Sequence, residues 1–277
     1  MKNERIGLIG FGAIGKEVYK TPKYLSKTIY QILTSPNAYT QETVLAIDSL
    51  GIKWLDLNLG CPSKTVCKNQ GGSFLLSDLT ILRPIIKSIR KSFSGFFSCK
   101  IRVGYRDDQS FVQILKLLEE EGVDLIKVHA RTRDQLYKGI ANWDYIKQAV
   151  KSVKTPIIGN GDIWSVHDIQ RFLDHTNAYG VMLARPALKT PWLAKLYKMN
   201  EEDSFTIRAN ELERYFTSFY QATLKQKNLV EASRIKRLKS VSRYIFDDLP
   251  DGTVYKKRFL LSKSWEEQVF ILQEIIY

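Results

Sequence analysis

Asn58 and Cys61 lie close together in the run WLDLNLGCPSKTV, Trp54 to Val66, and their types suit hydrogen-bonding and acid chemistry. The Asn58 amide offers both a donor and an acceptor, and the Cys61 thiol carries a dissociable proton on a soft atom. Trp54 to Asn58 reads as a buried strand, and Gly60 breaks it into a turn that places Cys61 beside Pro62. Polar groups at a strand end project from a rigid sheet into the loops where α/β proteins bind ligands. Taken alone, the pattern fits equally a capped strand end with a buried structural thiol. Other polar residues also end apolar runs: Gln31, Lys100 with Arg102, His129, Asn160 and Arg185.

The elements that position this ring recur regularly. Strands are expected at Thr28 to Leu33, Lys53 to Asn58, Phe97 to Arg102, Asp124 to His129, Thr155 to Asn160 and Tyr179 to Ala184. Helices are expected between them at Gln41 to Leu50, Leu79 to Ser92, Ser110 to Glu121, Trp143 to Ser152 and Ser165 to Asp174. Strands alternating with helices make a parallel sheet. Polar groups at the ends of several different strands are the mark of a barrel mouth, so a TIM-type (β/α)8 barrel is expected. After about Pro191 the rhythm stops, and residues 207 to 246 and 264 to 276 read as helices around the turn-like DDLPDGT. Lys225, Lys227, Arg234, Lys236, Arg237, Lys239 and Arg243 oppose only Glu231 there, giving a basic helical face.

The chain has 277 residues, room for one barrel or two ordinary domains, and a formal charge of +13. With its many aromatic residues, that charge points to an anionic partner, most simply a nucleic acid. There is no basic-then-apolar leader and no apolar run long enough to span a bilayer, so a cytoplasmic protein without membrane contacts is expected. Cys61, Cys67 and Cys99 are too few and too scattered for a disulfide framework or a zinc site, and no metal is expected. Gly10, Gly12 and Gly15 suggest a dinucleotide fingerprint, and with it a nicotinamide-dependent dehydrogenase. The acidic residue this needs after a second strand is missing, since TIYQIL ends in Thr34 and Ser35.

With these strand ends laid out, the sequence resembles the tRNA-dihydrouridine synthases, in particular bacterial subfamily C. The matching pieces are DLNLGCPSKTV, GGSFLL, CKIRVGY, KVHARTRDQLY, IIGNGDIWS and GVMLARPAL, in the family's order and spacing. The resemblance implies an FMN-dependent enzyme that uses NADPH to reduce a tRNA uridine to 5,6-dihydrouridine. Gln31 matches the glutamine on the flavin's pyrimidine edge, Lys100 the lysine beside N1 and O2, and His129 another flavin contact. Asn160, Gly161, Ala184 and Arg185 match the phosphate cradle, with Asp162 beside them also assigned to the cofactor. Cys61 matches the proton donor to uracil C5, complementing hydride delivery to C6, and Asn58 the residue that holds the uracil. A thiol of ordinary acidity suits that task, being mostly protonated at neutral pH. Arg234, Lys236 and Arg237 are the basic residues expected to meet tRNA, and Cys67 and Cys99 are expected to be structural. A base splayed out of folded tRNA would enter a deep pocket.

The chain departs from the family at its start, where no Pro-Met-Glu-Gly segment precedes Gln31, and at Ala184, where the family usually has Gly. The expected organisation is therefore an atypical segment 1–27, a partial FMN-binding barrel 28–195 lacking N-terminal strands, and a helical tRNA-binding domain 196–277. A monomer is expected. The alternative is a truncated or inactive homologue that binds tRNA without catalysis.

Overall fold

The computed structural model describes residues 29–36, 38–226 and 228–276. The glycine run Gly10 to Gly15, the start of the first expected strand at Thr28, and Lys227 lie outside these residues. Contacts divide the chain into two compact units. One runs through Asp162 and includes Phe172–Met182; the other contains Ile163–Arg171 and everything from Leu183 onward.

The first unit is built on a parallel sheet. Its strands are β1 (Tyr30–Ile32), β2 (Trp54–Leu59), β3 (Phe96–Arg102), β4 (Leu125–His129), β5 (Ile157–Asn160) and β6 (Gly180–Val181). Between them come α1 (Thr40–Ser49), α2 (Lys64–Lys68), a 3-10 turn at Gly72–Ser77, α3 (Leu79–Ser92), α4 (Phe111–Glu120), α5 (Asp144–Ser152) and α6 (Val166–Thr176). The strand order is β1-β2-β3-β4-β5-β6, all parallel. A doubly wound sheet reverses direction at a switch point, whereas this one never does. Right-handed crossovers then place the connecting helices on one face, where α1, α3, α4 and α5 pack as successive neighbours. This is the winding of a TIM-type barrel.

Alternation along the strands separates two environments. Leu55, Leu57, Leu59, Phe97, Cys99, Ile101, Ile126 and Val128 have no exposed surface and form the layer beneath the helices. The opposite face carries Asp56 and Asn58 on β2, Ser98, Lys100 and Arg102 on β3, Lys127 and His129 on β4, and Asn160 on β5. Apolar packing thus fixes the sheet, and the polar face is free for chemistry.

One strand differs from expectation. β6 covers only Gly180–Val181 rather than Tyr179 to Ala184, although Tyr179 and Met182 N–H groups still donate to Ile157 and Gly159 carbonyls at 2.8 Å. Ala184 instead precedes a short helix, α7 (Arg185–Lys189), with Pro186 in its first turn. Proline is tolerated there and not inside a strand, so the chain leaves the sheet early.

The second unit is helical, with α8 (Leu193–Met199), α9 (Phe205–Leu224), α10 (Glu231–Val241), α11 (Gly252–Leu261) and α12 (Trp265–Ile276) following α7. The single helix expected over 207–246 is broken after Leu224, because KQKN supplies no apolar residue for a full turn and Asn228 favours a turn. α11 was hidden in the sequence by its KKR run. Phe216, Phe246 and Phe259 pack with ring centroids 4.6–6.0 Å apart. Arg208, only 4 % exposed, pairs with Asp203 and Asp248 and donates to Thr190 Oγ1 at 2.9 Å. No helix among the described residues is long and apolar enough to cross a membrane.

Candidate active site

At the C-terminal end of β2 the turn Gly60–Pro62 is held from three sides. Arg102 Nε donates to the Gly60 carbonyl at 3.0 Å, and Asn58 Oδ1 accepts from Gly60 N–H at 3.0 Å. The Cys61 carbonyl accepts from Ser73 Oγ at 2.8 Å, from Ser73 N–H at 3.2 Å and from the Cys67 thiol at 3.7 Å. Gly72 closes the turn at φ +58°, where an added Cβ would lie 3.0 Å from Cys61 Cβ and its carbonyl. The backbone of Cys61 is therefore fixed while its partly exposed thiol has no hydrogen-bond partner among the described residues.

The neighbouring strands bring the other polar residues into register. Asn58 lies opposite Lys100, Arg102 opposite His129, and His129 opposite Asn160. Asn58 Nδ2 donates to Gln31 Oε1 at 3.0 Å, so these two amides are joined directly. Lys100 makes no hydrogen bond or ion pair among the described residues, and His129 Nδ1 is buried without a partner. Burial first, then the charge of Arg102, pulls the Lys100 pKa down to about 8. Burial, reinforced by Arg102, Lys100 and Arg131, drives His129 down to about 3, so its imidazole is neutral at working pH.

A depressed lysine has a defined consequence for stability. Between about 8 and the ordinary value of 10.5 the unfolded chain binds more protons at Lys100, so its contribution to stability rises with pH across that window. Lys100→Met should therefore stabilise the protein more at pH 7 than above pH 10.5. Urea midpoints at the two pH values check this, and equal gains at both would refute it.

The loop after β5 is also tightly determined. Asn160 Nδ2 donates to the Met182 carbonyl at 2.6 Å, tying β5 to the exit of β6. Asp162 forms a forked pair with Arg131, 3.2 and 2.5 Å, and accepts from Ala141 N–H at 2.8 Å. Its carboxylate is thus engaged in holding the loop after β4. Gly161 sits at φ +129°, where a Cβ would come within 2.8 Å of Ala141 Cβ. Gly161→Ala is expected to cost about 1–3 kcal/mol from strain and overpacking. A wild-type melting temperature for that variant would contradict this. Ala184 and Arg185 belong to the second unit, where the Arg185 guanidinium lies 5.1 Å from the Trp164 ring centroid.

The basic residues of the helical unit differ in availability. Ile235 and Leu238 bury one face of α10. Lys236 and Arg243 are exposed, Arg234 is partly buried, and Arg237 donates to Gln226 Oε1 at 2.6 Å.

A family model described as "Dihydrouridine synthase (Dus)" matches residues 15–274. The chain belongs to the dihydrouridine synthase family. Among similar proteins, the tRNA-dihydrouridine(16) synthase of Pseudomonas syringae pv. tomato is 31% identical over 228 residues, covering 81% of this chain and 71% of that protein. The tRNA-dihydrouridine synthase B of Pasteurella multocida is 31% identical over 227 residues, covering 80% and 68%. A probable tRNA-dihydrouridine synthase of Aquifex aeolicus is 27% identical over 272 residues, covering 97% and 84%.

Several residues of the candidate site of this dihydrouridine synthase family member carry no role from sequence. Arg102 anchors the Cys61 turn, and Arg131 and Asp56 are buried ionic anchors. The Tyr137 ring lies 5.4 Å from the Arg102 guanidinium and 6.3 Å from His129. A signal for Asp56 and Lys127 was available: each stands two residues before a site residue, Asn58 or His129, and therefore on the same strand face.

Proposed function

We propose that the protein reduces a uridine of tRNA to 5,6-dihydrouridine with FMN as cofactor and NADPH as reductant. The observation that carries this reading is a Cys61 thiol on a pinned turn, without a hydrogen-bond partner among the described residues, on the same barrel end as a Lys100 unpaired among those residues and a neutral His129. An orphaned buried ring nitrogen and a free ammonium are groups that a polar heterocycle would satisfy, and the donor set fits a flavin.

When bound, the reduced cofactor supplies the hydride that uracil C6 accepts. Cys61 holds the proton for C5 on Sγ, and the clamp on its carbonyl fixes the backbone that carries the thiol. Lys100 places positive charge where negative charge collects on a flavin's pyrimidine edge. Gln31 and Asn58 orient the cofactor and the base through their amides, and neutral His129 offers its unpaired nitrogen to the cofactor. Asn160, Gly161 and Asp162 shape the loop assigned to the cofactor phosphate. Ala184 and Arg185 keep the phosphate role the family resemblance gives them.

Residues 28–195 are proposed to act on the cofactor and base, and residues 196–277 to contact tRNA, with Lys236 the most available of Arg234, Lys236 and Arg237. A cytoplasmic monomer is proposed. The deciding experiment is the visible spectrum of the purified protein with identification of any released flavin, followed by reduction of unmodified tRNA with NADPH. FMN near one per chain and dihydrouridine formation support the reading. A colourless protein that FMN cannot reconstitute would replace it with tRNA binding without catalysis.

A further inference from the structure

Asp56 lies in the middle of β2 with no exposed surface, on the polar face of the sheet. Its Oδ1 accepts from Lys127 Nζ at 2.6 Å and from Ser98 Oγ at 2.6 Å. Lys127, 5 % exposed, also donates to Ser98 Oγ at 2.9 Å, and Trp54 Nε1 donates to the same hydroxyl at 2.8 Å. Asp56 Oδ2 accepts from Gln31 Nε2 at 2.6 Å. From there a single line of amides continues: Gln31 Oε1 accepts from Asn58 Nδ2, and Asn58 Oδ1 accepts from Gly60 N–H, each at 3.0 Å.

The direction of that line is decided at both ends. A carboxylate only accepts, so Gln31 must turn its NH2 toward Asp56 and its oxygen toward Asn58. A backbone N–H only donates, so Asn58 must turn its oxygen toward Gly60 and its NH2 toward Gln31. The two requirements agree, and a reversed amide would set donor against donor. Each amide keeps one N–H and one lone pair for a ligand, in a fixed sense.

We propose that Asp56, ion-paired with Lys127, is a positioning residue that sets the polarity of the Gln31–Asn58–Gly60 relay and hence the hydrogen-bond pattern shown to cofactor and base. Resting on the flavin reading above, the proposal has a structural core that can be tested without it. The pair does more than support the fold: together with the Gly60 N–H it fixes which side of each amide the ligand meets, and among the described residues it alone supplies the acceptor that holds the Gln31 NH2.

Two paired substitutions separate this role from simple stabilisation, since each removes both buried charges together. In Asp56→Asn with Lys127→Met, the new amide oxygen can still accept from Gln31 while its NH2 turns to Ser98. In Asp56→Leu with Lys127→Met, Gln31 loses its acceptor. Free FMN is the probe, followed by fluorescence quenching alongside thermal melting. The amide pair is expected to bind FMN like wild type, and the apolar pair about tenfold more weakly, the loss for one buried hydrogen bond. Should the apolar pair fail to fold, Asp56→Asn alone takes its place, because Lys127 then claims the amide oxygen and forces an NH2 toward Gln31; the same tenfold loss is expected.

The side-chain amide resonances of Gln31 and Asn58, followed by selective nitrogen labelling of cofactor-free protein, give a second readout. They should move in the apolar pair and remain near their wild-type positions in the amide pair. Unchanged FMN affinity together with unmoved amide resonances in the folded apolar pair would overturn the proposal. Wild-type protein that binds no FMN would defeat the flavin reading instead, and the resonances alone would then decide the relay.

Discussion

Replacing Cys61 with alanine is expected to lower the rate of uridine reduction by about 10²–10⁴-fold, the contribution of a positioned general acid. Flavin content and melting temperature should stay at wild-type values, because the thiol makes no hydrogen bond among the described residues and its backbone is held by Ser73. Neither of the other two cysteines nor His129 is suited to take over. Cys67 is buried with its thiol directed at the Cys61 carbonyl, and Cys99 has no exposed surface, its pKa pushed well above the usual thiol range by burial. His129, driven down to about 3, has no proton to spare as a cation at neutral pH. The test compares single-turnover reduction of tRNA by pre-reduced wild type and Cys61→Ala. Wild-type turnover in the variant would remove Cys61 from its role, and loss of flavin would make it a structural residue.

Arg131→Met is expected to cost about 3 kcal/mol, the lower part of the range for breaking a buried ion pair. Arg131 is 1 % exposed and joins Asp162 to the carbonyls of Lys138 and Gly139, at 3.1 and 2.6 Å. Methionine fills much of the volume and satisfies none of these acceptors. Partial solvent access to Asp162 keeps the loss from being larger. Arg131→Lys should recover only part of the stability, since an ammonium lacks the planar fork that spans a carboxylate and two carbonyls. Urea unfolding with an unchanged slope and a lower midpoint would show the effect. A wild-type midpoint for Arg131→Met would refute it.

Strand positions were legible because apolar runs alternate with helical periodicity. All six expected strands in the described residues are present, with the ends of β2 to β5 placed within about two residues, the usual uncertainty of element boundaries. β6 was misjudged because Val181 to Ala184 is as apolar as a strand, and the effect of Pro186 on the preceding backbone outweighed that pattern. Sequence identified Asn58, Lys100 and His129 as polar strand ends and Cys61 in the turn after the first of them, and the register sets Asn58 beside Lys100 and His129 beside Arg102. It did not identify Asp56 or Arg131 as anchors, since their roles depend on partners far along the chain, Lys127 and Asp162. Nor did it distinguish exposed Lys236 from tethered Arg237, because a run of basic residues does not reveal which ones the helix turns toward its neighbours.

The unbroken strand order also bears on how the chain acquires its shape during synthesis. Each of β2 to β6 pairs with the strand made just before it, as when Leu55 takes its place beside Tyr30 and Phe97 beside Leu55. Loop closure at each step spans only the helical connection between consecutive strands, so contacts accumulate locally rather than waiting for distant partners. A nascent chain leaving the ribosome can therefore add one strand at a time to an existing edge. During that growth each newest strand presents unpaired backbone groups, so slow translation between strands should leave the protein more prone to association than slow translation within the later helices.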